Sequence, residues 1–294
     1  MSDHVHLQPW PLPLAATLAL LILAMVYLRG WLRLRSAFPN LIPTWRLAAF
    51  MAGLFSAWIA VGSPLAALDH QSLTIHMVKH LVLMTIAAPS ILAGAPILPL
   101  LSGLPRCFSQ SEMVISGRRA RWLELHLTHP VFCWLAGGAA VIGWHLPIVF
   151  EHALRSHWVH SAEDACFLLA GLLFWWPVVR TLPSETRSPR WFVPLYLFLA
   201  TLPCDILSAF LAFCNRVIYP SYLSATQPFS LSPLEDQQCA GALMWVWITF
   251  AYLIPAVVIT LQILAPASTH AHKPVEASWQ GLAATSLKGS EAEG

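Results

Sequence analysis

The stretch His76-Met77-Val78-Lys79-His80 opens an apolar run from Leu81 to Ala88 that ends at Pro89 and Gly94-Ala95-Pro96. Its length and apolar character are typical of a helix that spans a membrane, yet it begins with two histidines and a lysine. An ionisable side chain in hydrocarbon costs free energy, so such residues in a span generally serve a function. We therefore expect a membrane helix whose polar residues are central to what the protein does.

The composition supports an integral membrane protein. Hydrophobic residues make up 57% of the 294 residues and charged residues only 10%, whereas about 25% of residues are charged in a soluble domain. The 14 tryptophans suit aromatic belts at two membrane interfaces. The formal net charge is only +2 and the basic residues are dispersed, which argues against a nucleic-acid partner.

Seven apolar blocks of about 20 residues are each long enough to cross the hydrocarbon core. They predict an all-α polytopic bundle of seven transmembrane helices, approximately at 11–28, 45–63, 75–95, 131–150, 160–180, 191–212 and 240–264. We expect these spans to form one domain over residues 1–266. The residues 267–294, rich in small and charged side chains, predict a disordered cytoplasmic tail.

The distribution of Lys and Arg predicts the orientation. If the N-terminus lies outside, 13 of the 16 basic residues fall in segments on the cytoplasmic side. The positive-inside rule therefore gives an external N-terminus and a cytoplasmic C-terminus. We interpret the first block as a helix rather than a cleaved signal peptide, because its positive cluster at Arg29, Arg33 and Arg35 follows the apolar residues instead of preceding them.

With this orientation, unusual residues from five helices lie at one depth, in the outer leaflet. They are His76, Met77, Lys79, His80, His145, His160, Glu163, Asp164, Asp205, Asp236 and Met244. His76 and His80 are spaced i, i+4 and share a helix face, as do His160 and Asp164. This spacing lets two side chains reach one ion.

The residue types favour copper. Imidazole together with the thioether sulfur of Met selects copper over magnesium or calcium. We expect His76, His80, His145 and His160 to be the primary ligands, and Met77 and Met244 to be soft auxiliary ligands. Asp164 or Asp236 would orient the imidazoles from outside the ligand set.

Purely structural roles for these residues are the alternative to a copper site. A single histidine at the end of a span is usually an interfacial hydrogen-bonding group, and Met77 and Met244 taken alone are typical packing residues. The main alternative is a buried salt bridge in which Lys79 pairs with Asp164 or Asp205. Of the six cysteines, none forms a Cys-x-x-Cys pair; Cys214 and Cys239 could meet in one outer loop, but isolated cysteines are the favoured interpretation.

The polar residues also lie in a series of short motifs. These are His76-Met77-x-x-His80, Ala87-Ala88-Pro89, Gly94-Ala95-Pro96, Trp144-His145-x-Pro147, His160-x-x-Glu163, Gly171-Leu172-Leu173-Phe174-Trp175-Trp176-Pro177, Asp236-Gln237 and Gly241-Ala242-Leu243-Met244-Trp245. In their order and spacing they resemble the CtaG-type cytochrome c oxidase assembly factor family, over about residues 45 to 264.

The resemblance implies a polytopic protein of the bacterial plasma membrane that is needed to make active haem-copper oxidase. It implies a non-enzymatic assembly factor that assists copper delivery or insertion at the extracytoplasmic side. Its partners would be the lipid bilayer, cytochrome c oxidase subunits and a periplasmic copper chaperone.

Two other functions remain open at this point. In a membrane ion or metal transporter, Lys79, Asp164 and Asp205 would form a relay, although no acidic residue or histidine is predicted deep in the inner half of any span. In a haem-binding membrane cytochrome, the four histidines would supply axial ligands, although their common depth suits only one layer of haem.

Overall fold

The computed structural model describes residues 13–37, 43–105, 129–181, 191–225 and 229–265, and these ranges are helical and contain no strand. Their α-helices are α1 (Leu14–Ala37), α2 (Thr44–Gly62), α3 (Leu73–Val82), α4 (Ala88–Ala93), α5 (Ile97–Gly103), α6 (Pro130–Trp144), α7 (Pro147–Arg155), α8 (His157–Thr181), α9 (Phe192–Phe213) and α10 (Pro233–Leu264). The predicted tail at 267–294 lies outside the described residues.

Within the described ranges, six helical segments are long and apolar enough to cross a membrane, and the pair α6 and α7 makes a seventh if it counts as one bent span. The all-helical membrane bundle is therefore confirmed, with six to seven spans. The orientation of the termini stays a prediction.

The first helix is longer than its predicted span. Residues 11–28 were expected, whereas α1 continues to Ala37. Its last turns carry basic side chains, whose apolar stems can lie at the membrane interface while their charged ends reach water. Arg33 Nη1 donates a hydrogen bond to the Ser102 carbonyl at 2.8 Å. A prediction from apolar content alone ends this helix too early, because a helix does not have to end where the membrane does.

The third span is interrupted at its centre. A π-helical turn at Leu83–Ala87 separates α3 from α4, next to Pro89, which has no N–H to give to a regular helix. At Gly171 of α8, a Cβ atom would lie 2.9 Å from Ala88 Cβ and 3.0 Å from Met84 Cα. The missing side chain thus lets α8 pack directly against this turn.

The fourth span is broken. Residues 131–150 were predicted as one helix, but α6 ends at Trp144 and α7 leaves it at an angle of 72°. Pro147 disfavours the helical conformation in Leu146, whose ψ of 127° is extended. The break places His145 at the end of α6, where its side chain reaches the interior of the bundle.

The last helix begins earlier than the predicted residue 240. A capping box between Ser232 and Glu235 starts α10 at Pro233. Along α10, Gly241 permits a close approach to α9, because a Cβ there would lie 2.6 Å from the Ala212 nitrogen. Cys214 and Cys239 both carry free thiols, in agreement with their interpretation as isolated cysteines.

Candidate metal centre

The predicted polar residues gather at one end of the bundle. They come from the start of α3, the end of α6 and the start of α8, and Asp69, which was not predicted, joins them from the loop that precedes α3. Most of them are buried although they are ionisable, namely Asp69, His76, Lys79, His80, His145, His160 and Glu163. The helices therefore bring together side chains that are far apart in the sequence.

A carboxylate from α10 fixes the start of α3. Asp236 accepts hydrogen bonds from the Ser72 hydroxyl at 2.9 Å and from the Leu73 N–H at 2.6 Å. Ser72 in turn caps α3 by accepting from the Ile75 N–H. The expectation that Asp236 orients an imidazole is not met in this geometry, because its described hydrogen bonds all serve the first turn of α3.

Three histidines surround one buried carboxylate, and we call His76, His80, His160 and Glu163 the histidine–glutamate cluster. Glu163 Oε1 lies 3.5 Å from His76 Nε2 and 3.8 Å from His80 Nε2, and its Oε2 lies 3.2 Å from His160 Nδ1. Both ring nitrogens of His76 and of His80 lack a hydrogen bond among the described residues, as do both oxygens of Glu163. Buried polar atoms are normally satisfied, so these nitrogens and oxygens have the capacity to bind an ion or ordered water.

The donor atoms of this cluster suit one metal ion. Ligand atoms of His76, His80 and Glu163 lie within 4.8 Å of one another. Donors bound to one ion at about 2.0–2.2 Å lie slightly closer together than this, so small side-chain movements would complete the site. Aromatic rings restrain the imidazoles: His80 stacks on Phe167 at 4.0 Å and His76 lies 4.8 Å from Phe150.

Lys79 lies beside the cluster in a network of ion pairs. Its Nζ is 2.7 Å from Asp69 Oδ2, 2.9 Å from Asp164 Oδ1 and 2.7 Å from His160 Nε2. The expected salt bridge therefore forms with Asp164, and a second one forms with Asp69. Asp205, the other predicted partner, is half-buried on α9, and no contact with Lys79 is found among the described residues.

This end of the bundle has an excess of negative charge. Asp69, Glu163 and Asp164 are three carboxylates against the ammonium of Lys79, and both ring nitrogens of His160 face carboxylates, so the formal charge is −2 with a neutral His160 ring and −1 with that ring protonated. Burial alone would raise the pKa of Asp69, but the hydrogen bond with His160 and the charge of Lys79 hold it well below its usual range. A buried excess charge of this kind favours the binding of protons or of a metal cation.

A cavity of about 470 Å³ leads to the network from between α1, α2, α3 and α8. Its walls are mainly apolar, and its polar end is formed by Asp69, His70, Lys79, His160 and Asp164. Asp69, His70 and His160 also have donor atoms within 4.8 Å of one another, and His70 is exposed. An ion that reaches this cavity would meet carboxylate and imidazole donors first.

The remaining predicted residues line a second, much smaller cavity. It measures about 20 Å³ and is bordered by His80, His145 and four sulfur-containing residues, Met77, Met84, Cys204 and Met244. His145 donates from Nδ1 to the Val141 carbonyl at 2.6 Å, and its Nε2 faces Met77 Sδ at 3.1 Å. We call this space the sulfur cavity.

Sequence reasoning missed several of these side chains. Asp69 lies in a loop outside the predicted spans, so nothing in the apolar pattern draws attention to it. Glu163 is seen at the right depth and in the motif His160-x-x-Glu163, but it was not assigned as a ligand. Met84 and Cys204 lie within apolar runs, where methionine and cysteine are ordinary packing residues.

Comparison with known proteins gives a family. The family model described as the cytochrome c oxidase caa3 assembly factor (Caa3_CtaG) matches residues 25–265. The chain is 25% identical over 264 residues to the uncharacterized protein ML1998 of Mycobacterium leprae, covering 86% of this chain and 38% of that protein. It is 26% identical over 236 residues to the uncharacterized protein Mb0105 of Mycobacterium bovis, covering 76% of this chain and 34% of that protein.

The chain thus spans little more than a third of the length of these relatives, and no solved structure matches it. The family match covers most of the chain, including every helix that contributes to the candidate metal centre. The matched range contains His76, His145, His160 and Asp236, which the fold brings to one end of the bundle. The chain belongs to the cytochrome c oxidase caa3 assembly factor family.

Proposed function

We propose that this protein holds copper on the extracytoplasmic side of the bacterial plasma membrane and presents it to a nascent subunit of a haem-copper cytochrome c oxidase. The family supports the oxidase as the partner. The copper part of the proposal is based on the histidine–glutamate cluster. There the buried ring nitrogens of His76 and His80 lie near Glu163 and have no hydrogen bond among the described residues. Copper is the cargo here, and no chemical conversion is involved.

Each side chain has a role in this proposal. His76, His80 and His160 bind the ion with Glu163, and His145, Met77 and Met244 add softer donors next to them. Asp164 and Lys79 hold the neighbouring charges in place, since Lys79 Nζ lies 2.9 Å from Asp164 Oδ1. A periplasmic copper chaperone is the expected donor, and the 470 Å³ cavity reaches the edge of the cluster at His160.

A transporter is less well supported. Within the ranges that the structure describes, the buried ionisable side chains, Asp69, His76, Lys79, His80, His145, His160, Glu163 and Asp236, lie at one end of the bundle. A relay across the membrane would need such groups at successive depths.

A haem site would need room for a macrocycle beside its ligands, whereas the rings of His76 and His80 are 4.4 Å apart on one helix.

The proposal is tested in cells that depend on this protein for oxidase assembly. His76 and His80 are both replaced by glutamine, which keeps polar side chains but removes the imidazoles. We expect oxidase activity and oxidase copper content to fall while the abundance of the variant in the membrane is unchanged. His152→Gln, at an exposed position on α7, is the matched control and should behave as wild type. Normal oxidase copper in the double variant would overturn the proposal.

A further inference from the structure

We infer that the sulfur cavity is a second metal site, which selects Cu(I), and that Met84 and Cys204 belong to it together with Met77, Met244, His80 and His145. The inference depends on the proposed function only to explain why the protein would hold copper. It goes beyond that proposal because it assigns a separate site, two further residues and an oxidation state.

The pair His145 and Met77 provides the first argument. His145 Nδ1 donates to the Val141 carbonyl at 2.6 Å, so a neutral ring carries its proton there and has only a lone pair on Nε2. The thioether sulfur of Met77, 3.1 Å away, is also an acceptor and has no proton to donate. Two acceptors thus face each other in the protein interior with no hydrogen between them.

A cation bound to both atoms would resolve this contact. The distance of 3.1 Å is close to the separation of two donors that share one ion, since nitrogen and sulfur ligands each lie about 2.0–2.3 Å from a metal. Protonation of Nε2 would also supply the missing hydrogen, but it would place a charge among apolar neighbours. A soft monovalent cation would also bring a charge into this space, but the nitrogen and sulfur donors that line the cavity would bind it.

The size and the walls of the cavity fit a single ion without its water. A space must have about 10–15 Å³ to hold one water molecule, and this cavity has about 20 Å³. The rest of its wall is apolar: Leu81, Val141, Phe167 and Ile248. A hard cation would lose its hydration shell and gain no oxygen ligand here, whereas Cu(I) prefers thioether, thiol and imidazole donors.

His80 connects the sulfur cavity with the histidine–glutamate cluster. It lines the cavity, and its Nε2 lies 3.8 Å from Glu163 Oε1. Along the line from the 470 Å³ cavity inward, the donors therefore change from carboxylate and imidazole to imidazole and sulfur. Divalent ions should prefer the cluster, and Cu(I) should prefer the sulfur cavity. Binding needs no redox step, because the ion enters as Cu(I), and a proton leaves to solvent only if Cys204 binds as thiolate.

The test uses the purified full-length protein and two metal probes. Cu(I) is offered without oxygen in competition with a chromophoric Cu(I) chelator, and Co(II) is followed by its visible spectrum. The double replacement Met77→Leu with Met244→Leu should weaken Cu(I) binding at least about tenfold and leave Co(II) binding unchanged. Glu163→Gln should do the reverse. Met51→Leu is the matched control, because Met51 is a partly buried methionine that packs against a separate apolar cluster away from the sulfur cavity.

X-ray absorption of the Cu(I)-loaded wild-type protein provides a second measurement that needs no variant. We expect sulfur neighbours around copper, and Cys204→Ala should reduce their number; an unchanged number would remove Cys204 from the site. Nitrogen and oxygen neighbours alone, or an unchanged Cu(I) affinity in the double methionine variant, would overturn the inference and leave the methionines as packing residues. Normal oxidase assembly in variants that have lost Cu(I) binding would instead count against the proposed function.

Discussion

Neighbouring residues on α3 have opposite surroundings. Lys79 pairs with Asp69 at 2.7 Å and with Asp164 at 2.9 Å, whereas His80, the next residue, has no hydrogen bond from either ring nitrogen among the described residues. His80 Nε2 lies 3.6 Å from Asp164 Oδ1, so Lys79 has the short ion pairs of this network and His80 has only longer contacts. The spacing in the sequence indicated both residues but could not assign these different roles.

Replacement of Lys79 tests the structural role. In Lys79→Met, Asp69 and Asp164 would remain buried without their cation, and we expect the free energy of unfolding to fall by about 3–5 kcal/mol. Arg155→Met is the control, because Arg155 is exposed and lies 3.5 Å from Glu151, so its loss should cost less than about 1 kcal/mol. Denaturant titration in detergent measures both variants. Equal stability of the two would show that the network does not hold this end together.

Some residues could be predicted and others could not, for a physical reason. His76, His80, His160 and Asp164 stand out because each is polar within an apolar run and because helix periodicity sets which of them share a face. Asp69 reaches Lys79 only through the fold of the loop before α3, which has no periodicity. Of the two partners predicted for Lys79, Asp164 forms the ion pair and Asp205 does not, because depth alone does not determine which way a helix faces.

At the scale of the helices, the metal centre depends on how α3 begins. Asp236 of α10 accepts hydrogen bonds from Ser72, Leu73 and Thr74, so it ties the N-terminus of α3 to another span. The first ligand, His76, follows within one turn. A substitution of Asp236 should therefore alter the position of the cluster residues, although Asp236 is not one of them.

Asp236→Ala tests this coupling. Loss of the carboxylate leaves buried donors unpaired, and we expect a cost of about 1–3 kcal/mol together with weaker Co(II) binding. Glu235→Ala, one residue earlier, removes the carboxylate that accepts from the Ser232 N–H at 2.8 Å on the exposed side of the same helix, and it should cost about 0.3–1.5 kcal/mol with metal binding unchanged. Thermal unfolding and Co(II) titration compare the two. Unaltered metal binding in Asp236→Ala would contradict the coupling.

The helices themselves could largely be predicted, because a run of about 20 apolar residues has few alternatives in a membrane. Their irregularities could not. Pro89 and Pro147 are visible in the sequence, but a π-helical turn and a 72° bend depend on how neighbouring helices accommodate the missing N–H. These two irregularities shape the site, since Met84 lies in the first and His145 in the second.

At the scale of the whole molecule, the account requires the metal centre to face the outside. The N-terminal end of α1 borders the 470 Å³ cavity through Pro13 and Ala16, so the start of this helix lies at the same end as the cluster. The distribution of Lys and Arg predicts that this end is extracytoplasmic.

Reporter fusions test the orientation. Alkaline phosphatase is active only outside the cytoplasm, so we expect activity when it is fused after Ser224, in the segment between α9 and α10. A fusion after Ala265, beyond α10, should be inactive. The opposite pattern would place the cluster on the cytoplasmic side and would remove delivery of copper from the periplasm.

The most direct test of the central claim is the copper content of the protein purified from copper-replete membranes. We expect about one copper ion or more per chain in the wild type and in the control His152→Gln, and a large loss when His76 and His80 are both replaced by glutamine. The ratio is measured by elemental analysis on samples of equal purity and equal helix content. The same copper content in all three proteins, or none in the wild type, would contradict the account.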